Sequence, residues 1–197
     1  MHRRSPRTLE SAPQAAPALI ASDGRIGEVY LSAEQLEARV SELGAEVTED
    51  YAGREPVLVG LLKASVVFLA DLSRAITLTH QLDFVELAGY GKASTGGHAR
   101  IRVLQDLSLE IADRDVLVIE DVVDTGLTLN YLCKLLTLRA PRTLAVATLL
   151  DRPYRRLVRD LPVRYIGFTV PDEFYVGYGF DLDERYRNLP DLRVVQF

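Results

Sequence analysis

Short runs of apolar residues alternate with segments whose apolar positions recur at helical spacing through the middle of the chain. Residues 57–62 and 116–119 carry no interrupting polar side chain, which is typical of strands covered on both faces of a sheet. Between these runs, residues 66–76 have the pattern of a helix with one apolar side. Strands that alternate with helices imply a parallel sheet with right-handed crossovers, so the pattern predicts an α/β fold.

The first predicted helix carries its own start signal. Ser32 followed by Gln35 resembles a capping box, in which both side chains satisfy backbone N–H groups of the first turn. Apolar residues then recur at helical spacing at positions 36, 40, 43 and 47, and Gly53 and Pro56 end the segment.

The other elements continue the alternation. Strands are predicted over residues 81–88, 101–104, 143–150 and 165–169, and a third helix over residues 127–139. Residues 89–98 contain four glycines in ten and few apolar side chains. That composition indicates a mobile loop between the two strands of a hairpin-like excursion.

The first part of the chain differs from the rest. Residues 1–25 are predicted to form a flexible tail, and residues 26–197 a single domain. The tail starts with an Arg-rich segment and has no apolar stretch of the kind found in signal peptides. An organelle transit segment is the alternative interpretation of this Arg-rich, acid-poor start.

The amino-acid composition mainly excludes classes of protein and of partner. Of the 197 residues, 48% are hydrophobic and 26% are charged, which excludes a disordered or low-complexity chain. No apolar run approaches the roughly 20 residues that cross a bilayer. The single cysteine, Cys133, allows no intramolecular disulfide and favours a cytoplasmic location. A net charge of −5 argues against a general nucleic-acid binder, so neither a membrane nor a nucleic acid is expected as a partner.

Candidate chemistry is concentrated in residues 116–129, VLVIEDVVDTGLTL. Glu120 and Asp121 directly follow the predicted buried strand, where open α/β sheets bind their ligands, and Asp124 comes three residues later. The turn that opens the next helix consists of Thr125, Gly126, Leu127 and Thr128. Its backbone N–H groups and two hydroxyls form a suitable cradle for a phosphate. No Lys follows the glycine, so this turn is not a nucleoside-triphosphate loop.

Three carboxylates beside a phosphate would repel it, by about 1 kcal/mol per charge pair at 4 Å in water. A neutral or cationic group must therefore lie between them. A ribose would serve, with its hydroxyls donating to Glu120 and Asp121 and its 5′-phosphate in the turn; Mg²⁺ is the other candidate. The plain alternative is that acids enrich the first turn of a helix. That alternative explains Asp124, but not two acids directly after a buried strand.

The segment VLVIEDVVDTGLTL resembles the phosphoribosyl-diphosphate motif of type I phosphoribosyltransferases. Within that group the chain most resembles the hypoxanthine–guanine phosphoribosyltransferases, through LLKAS, the Tyr90-Gly91 loop, LLDRP and PDEFYVGYGFDLDERYRNLP. The resemblance covers roughly residues 28–192. It implies a central parallel sheet flanked by helices, with a mobile lid hairpin and a small C-terminal hood.

The resemblance also implies an activity. Enzymes of this family transfer ribose 5-phosphate from phosphoribosyl diphosphate to N9 of hypoxanthine or guanine, using Mg²⁺ and releasing diphosphate, in purine salvage. It further implies a homodimer or homotetramer. Two alternatives stay open: a phosphoribosyltransferase that prefers xanthine, and a non-catalytic regulator that senses nucleotides on the same fold.

The implied roles fall on particular residues. Asp124 would be the catalytic proton acceptor near purine N7. Ribose and 5′-phosphate would be bound by Glu120, Asp121, Thr125, Gly126, Leu127 and Thr128. Diphosphate would be bound by Lys63, Ala64 and Arg187. The purine would be bound by Arg152, Phe174 and Tyr175. Mg²⁺ would be held by Glu120, Asp121 and Asp181. The lid would include Tyr90 and Gly91.

Four positions depart from the family's pattern: Ala64, Gly89, Arg152 and Tyr175. Ala64 stands where glycine is usual after the lysine, and alanine tolerates fewer backbone conformations, which argues against the cis peptide common in this turn. Arg152 replaces a lysine that donates to the purine 6-oxygen, and a planar guanidinium differs from a point-like ammonium. Asp183 and Glu184 are expected to be solvated, and Arg155 and Arg156 form a basic surface run.

Overall fold

The structure is a computed structural model that describes residues 23–90 and 100–197. The strands are β1 (Ile26–Leu31), β2 (Val57–Leu62), β3 (Gln81–Tyr90), β4 (Arg100–Gln105), β5 (Asp115–Val123), β6 (Thr143–Asp151), β7 (Val163–Thr169), β8 (Tyr175–Val176) and β9 (Leu192–Val195). The helices are α1 (Ala33–Asp50), α2 (Val66–Ala75) and α3 (Leu127–Thr137), with a 3-10 turn at Pro153–Arg155. Within the described ranges, no helix is long and apolar enough to cross a membrane.

Six strands form the central sheet in the order β4-β3-β2-β5-β6-β7. All neighbouring pairs are parallel except β3 and β4, which run antiparallel. The predicted α/β fold with a mainly parallel sheet is therefore confirmed. The antiparallel pair is the hairpin-like excursion, and its connecting segment, which includes Gly91 of the predicted lid, lies outside the described residues.

Helices cover both faces of this sheet because its central strands are apolar on both faces. Leu58 and Leu117 pack in the same cluster as the buried residues of α1 and α2, whereas Val59 and Val118 pack with α3. All four side chains are completely buried. Burying each contributes about 1.5–3 kcal/mol, which explains why the continuous apolar runs predict these two strands well.

Helix α1 begins where the sequence predicts. The Ser32 Oγ accepts a hydrogen bond from the Gln35 N–H at 3.3 Å, and the Gln35 Oε1 accepts one from the Ser32 N–H at 2.9 Å. The predicted capping box is thus confirmed.

A second, antiparallel sheet has the order β1-β9-β8 and forms the predicted hood. The hood has its own small core of Val176, Leu182, Tyr186, Leu189 and Val195. The Tyr178 hydroxyl donates to Asp71 Oδ2 at 2.6 Å, which ties the hood to α2. Strands β1 and β9 were not predicted, because each is short and irregular in register and is defined mainly by pairing with the other.

One predicted boundary is wrong. Strand β5 does not end at Ile119 but continues to Val123, so Glu120 and Asp121 lie inside the strand and not after it. The reason is that β6 is equally long and pairs with β5 as far as Val123 opposite Asp151. The boundary of the predicted tail stays a prediction, since residues 1–22 lie outside the described residues.

A buried acid fixes the other end of β5. Asp115 is completely buried and accepts hydrogen bonds from the Thr143 hydroxyl at 2.6 Å and the Arg142 Nε at 3.2 Å. The Arg142 guanidinium holds the pKa of Asp115 below its ordinary value, against the opposing effect of burial. This carboxylate therefore joins the starts of β5 and β6.

We expect D115N to lower the free energy of unfolding at pH 7 by about 1–3 kcal/mol, because its amide nitrogen would face donors in a buried site. The parent protein should lose this contribution as the pH falls below about 4, since the lowered pKa of Asp115 places the loss below the pKa of an unfolded aspartate. Urea unfolding at pH 7 and over a series of acidic pH values measures the effect. D160N, at an exposed aspartate, is the control, and equal stability of D115N and D160N would contradict the prediction.

Candidate functional site

A small pocket of about 130 Å³ lies at the carboxyl end of β5. Its walls include Glu120, Asp124, Thr125, Gly126 and Thr128. The structure therefore brings four of the residues predicted to bind ribose and phosphate, together with the predicted proton acceptor Asp124, around one open pocket, at the edge of the sheet where such ligands bind.

The turn before α3 has the backbone that a phosphate cradle needs. Gly126 has φ +79°, in the left-handed region that favours glycine, and a Cβ there would lie 2.8 Å from Leu161 Cδ1. Helix α3 begins at Leu127, and the first N–H groups of a helix have no partner within it. The Thr125 Oγ1 accepts a long hydrogen bond from the Leu127 N–H at 3.4 Å. An anion would find N–H donors and the positive end of the helix dipole here.

The two adjacent acids within β5 both have raised pKa values. Glu120 is buried, and its Oε2 has no hydrogen-bond partner among the described residues. Burial, and then the charge of Asp121, raise the pKa of Glu120 well above its ordinary value. Asp121 keeps some accessible surface, yet burial raises its pKa to about 6, although the charge of Arg187 acts in the opposite direction. Hydroxyl donors or a cation would satisfy this pair.

The predicted magnesium ligands are not a preformed cluster. In residues 23–90 and 100–197, no three His, Cys, Asp or Glu side chains are grouped so that they could hold a metal ion. Asp181 is paired with Arg187, with 2.8 Å between its Oδ1 and Nη2. Magnesium, however, usually binds one or two carboxylates together with waters and substrate phosphates. The partnerless oxygen of Glu120 next to Asp121 fits such an ion.

The two predicted diphosphate-binding cations share one carboxylate. Glu184 Oε2 lies 3.4 Å from Lys63 Nζ and 3.1 Å from Arg187 Nη2. Arg187 first, and then Lys63, lower the pKa of Glu184. Glu184 is exposed, as expected, and it also pairs with both cations. Asp183 is also exposed, and it lies 3.5 Å from Arg25 Nη1.

The Lys63 turn lies against the hood. Its cis peptide bond joins Leu62 to Lys63, so the expectation that Ala64 argues against a cis bond in this turn is wrong. The Ala64 carbonyl faces Gly179, which has φ +98°, and a Cβ on Gly179 would lie 2.2 Å from that oxygen. Only glycine allows this close approach, which brings the hood onto the turn.

The three predicted purine-binding residues lie together. Arg152 donates through Nη2 to the carbonyl of Glu173, and its guanidinium carbon lies 5.5 Å from the centre of the Tyr175 ring. Phe174 directly precedes Tyr175 in the chain, and its ring is half-exposed. The buried Nε of Arg152 has no hydrogen-bond partner among the described residues, so it is a donor available to a ligand.

Aromatic side chains that the sequence did not single out support this group. Tyr30 of β1 packs against Tyr175 with 5.0 Å between ring centres. Phe197 contacts Phe174 edge to face at 5.6 Å. Neither carries a local motif, since each reaches the site only through the pairing of β1, β9 and β8.

Asp124 has an unexpected neighbour in Arg155. The Arg155 Nε lies 2.7 Å from Asp124 Oδ1, and Arg155 also donates to Asp172. Arg155 is exposed, as the predicted surface run requires, whereas Arg156 is largely buried and pairs with Asp151 at the end of β6. The surface interpretation is therefore wrong for Arg156 alone.

The remaining predicted residues lie at the edges of this arrangement. Tyr90 is the last residue of β3, opposite Arg100 of β4.

A larger groove of about 590 Å³ lies between α1, α2 and residues 187–190, and it shares only Arg187 with the predicted site.

We expect G179A to lose more stability than G53A. Both glycines have positive φ, but a Cβ on Gly53 meets nothing within 4 Å, whereas one on Gly179 would collide with the Ala64 carbonyl. Alanine carries backbone strain at both positions, more at φ +98° than at φ +73°, and the collision should add about 1–3 kcal/mol to the loss in unfolding free energy. Denaturant unfolding of the two variants measures the difference. Equal losses of unfolding free energy would contradict the close contact between the hood and the Lys63 turn.

Comparisons with known proteins agree with this geometry. Residues 28–185 match the phosphoribosyl transferase domain family. The chain is 46% identical over 165 residues to the hypoxanthine phosphoribosyltransferase of Salmonella typhimurium, covering 83% of this chain and 92% of that protein. It is 45% identical over 172 residues to the hypoxanthine-guanine phosphoribosyltransferase of Mycobacterium tuberculosis, covering 84% of each.

The fold agrees as well. A crystal structure of a hypoxanthine-guanine phosphoribosyltransferase from Bacillus anthracis superimposes with a TM-score of 0.81 at 40% identity, covering 88% of this chain and 99% of that one. The chain therefore belongs to the hypoxanthine–guanine phosphoribosyltransferases, within the phosphoribosyl transferase domain family.

Proposed function

We propose that this protein transfers ribose 5-phosphate from phosphoribosyl diphosphate to N9 of hypoxanthine or guanine, giving IMP or GMP and diphosphate in purine salvage. The observation that carries the proposal is the arrangement around the carboxyl end of β5. A small pocket, the acids Glu120 and Asp121 and the residues predicted to bind the purine support this proposal in a chain of this family.

The ribose 5-phosphate part of the substrate lies along β5 and the turn. Its phosphate binds the N–H groups and hydroxyls of Thr125, Gly126, Leu127 and Thr128. Its ribose hydroxyls donate to Glu120 and Asp121, which supplies the hydrogen bonds that the buried Oε2 lacks. The sugar thereby separates the acid pair from the phosphate.

Mg²⁺ would be held by Glu120 and Asp121 together with oxygens of the substrate. It supplies positive charge that stabilises the departing diphosphate. A direct contribution from Asp181 stays a prediction, because this carboxylate is paired with Arg187 in the free protein.

The diphosphate end is bound by the backbone at Ala64 and by Lys63 and Arg187. In the free protein one oxygen of Glu184 pairs with both cations. The incoming diphosphate takes the place of that oxygen, so the two cations already lie near a common anion position. Such preorganisation stabilises charge that develops on the leaving group.

The purine stacks on Phe174 beside Tyr175, and Arg152 donates to its 6-oxygen. As the bond from N9 to C1′ forms, the bond from C1′ to the diphosphate oxygen breaks and its electron pair leaves with diphosphate. The N7 proton passes to a carboxylate oxygen of Asp124. Tyr90 and Gly91 would close over this centre and exclude water, a role that stays a prediction.

The proposal extends to a homodimer or homotetramer that acts in the cytoplasm without a nucleic-acid or membrane partner. The family resemblance supports the oligomer, and the lone Cys133 and net charge of −5 support the location and partners. Light scattering of the purified protein measures its mass, and a monomer would contradict this part of the proposal.

The test of the function is an assay of the purified protein with Mg²⁺, phosphoribosyl diphosphate and one of three bases: hypoxanthine, guanine or xanthine. We expect IMP and GMP, with the highest kcat/KM for hypoxanthine or guanine. A higher kcat/KM for xanthine would favour the alternative raised by Arg152 and Tyr175. Binding of nucleotide without product from any base would favour a non-catalytic regulator.

We expect D124N to lower kcat by about 100-fold or more, because general-base catalysis contributes at least that much. Binding of IMP should change little, since the amide keeps the size of the side chain. Single-turnover kinetics and calorimetric IMP titration measure the two effects. D160N is the control, and a parental kcat in D124N would remove the proton-acceptor role.

A further inference from the structure

Arg155 joins two acidic side chains from different parts of the fold. Its Nε lies 2.7 Å from Asp124 Oδ1, and its Nη1 donates to Asp172 Oδ1 at 2.7 Å. Asp124 follows β5, Arg155 ends the 3-10 turn after β6, and Asp172 follows β7 two residues before Phe174. One guanidinium thus links the proposed proton acceptor to the segment that carries the stacking ring.

The segment that carries Arg155 is anchored on the phosphate turn by its backbone. The Arg152 N–H donates to the Val123 carbonyl at 3.0 Å, and the Leu157 N–H donates to the Thr125 carbonyl at 2.9 Å. Arg155 lies between these two anchors, so its backbone position is fixed relative to the turn. Side chains supported in this way hold reacting groups in place before substrate arrives.

The contact with Arg155 engages one oxygen of the Asp124 carboxylate. The Nε and Oδ1 atoms approach closely without hydrogen-bond geometry, and this buried oxygen has no other hydrogen-bond partner in the described part of the chain. Partly exposed ion pairs of this kind contribute only about 0–1 kcal/mol to stability. The contact with Arg155 instead restricts the orientation of the Asp124 carboxylate.

We infer that Arg155 is a positioning residue of this enzyme: it holds the Asp124 carboxylate toward the purine and, through Asp172, keeps Phe174 aligned with it. The inference rests on the proposed function, in which Asp124 accepts the N7 proton. Arg155 itself touches no reacting atom and acts through its two acidic partners.

The first test compares R155A, R155K and the control R139A. We expect R155A to lower kcat about 10-fold, because a small misplacement of a catalytic group is costly. Its melting temperature and its KM for phosphoribosyl diphosphate should stay near parental values, and R155K should recover part of kcat. Arg139 forms a comparable pair with Asp106 at 2.7 Å, but it lies beyond the far end of α3, so R139A should keep the parental kcat.

A double-mutant cycle then asks whether Arg155 acts through Asp124. In a D124N background, R155A should cause no further loss of kcat, because the group that it positions is already inactive. D172N alone should give a loss smaller than that of R155A. A parental or raised kcat in R155A, or losses in D124N and R155A that multiply, would overturn the inference.

The cycle also separates this inference from the proposed function. A slow D124N with multiplying losses overturns the positioning role alone and leaves the proton acceptor in place. A parental kcat in D124N overturns the proton-acceptor role, and the inference with it.

Discussion

The parallel pairing of β5 with β6 to the last residue of both strands is the constraint on which the site depends. It sets Val123 opposite Asp151, so the turn after β5 and the segment after β6 leave the sheet side by side. Backbone hydrogen bonds from Arg152 and Leu157 then join the two segments. The turn proposed to bind phosphate and Arg152 therefore hold their spacing through main-chain contacts, which side-chain changes alter little.

Charge is distributed unevenly along the site that results. On one side, Glu120 is buried and Asp121 is largely shielded from water, and burial raises the pKa of both. On the other, Lys63 and Arg187 share the exposed carboxylate of Glu184. A ligand with hydroxyl groups at its centre and a diphosphate at one end would offer hydrogen-bond donors to the two acids and a negative charge to the two cations. The free protein thus carries an electrostatic pattern complementary to phosphoribosyl diphosphate before any substrate binds.

Much of this arrangement could be predicted from the sequence, because it rests on local patterns. A pattern of only a few residues predicts the apolar runs of β2 and β5, the capping box at Ser32 and the Thr125–Thr128 turn. The contacts of Glu184 and Arg155 could not be predicted in this way, since their partners lie in other segments and meet only in the fold. The extension of β5 through Glu120 was also missed, because two adjacent acids look like a strand end unless the length of β6 is known.

Two departures from the family's pattern, at positions 152 and 175, are explained by the contact between the two side chains. An arginine in place of lysine at position 152 has a planar guanidinium that needs a surface to lie on, and Tyr175 provides that ring at 5.5 Å. Tyr30 packs against Tyr175 and so holds the ring in place. The guanidinium is further fixed by the Glu173 carbonyl, which leaves the buried Nε as a donor of defined direction. A lysine ammonium would hydrogen-bond without this planar support, so Tyr175 and Arg152 form one structural unit, in which the ring supports the guanidinium that is proposed to bind the purine.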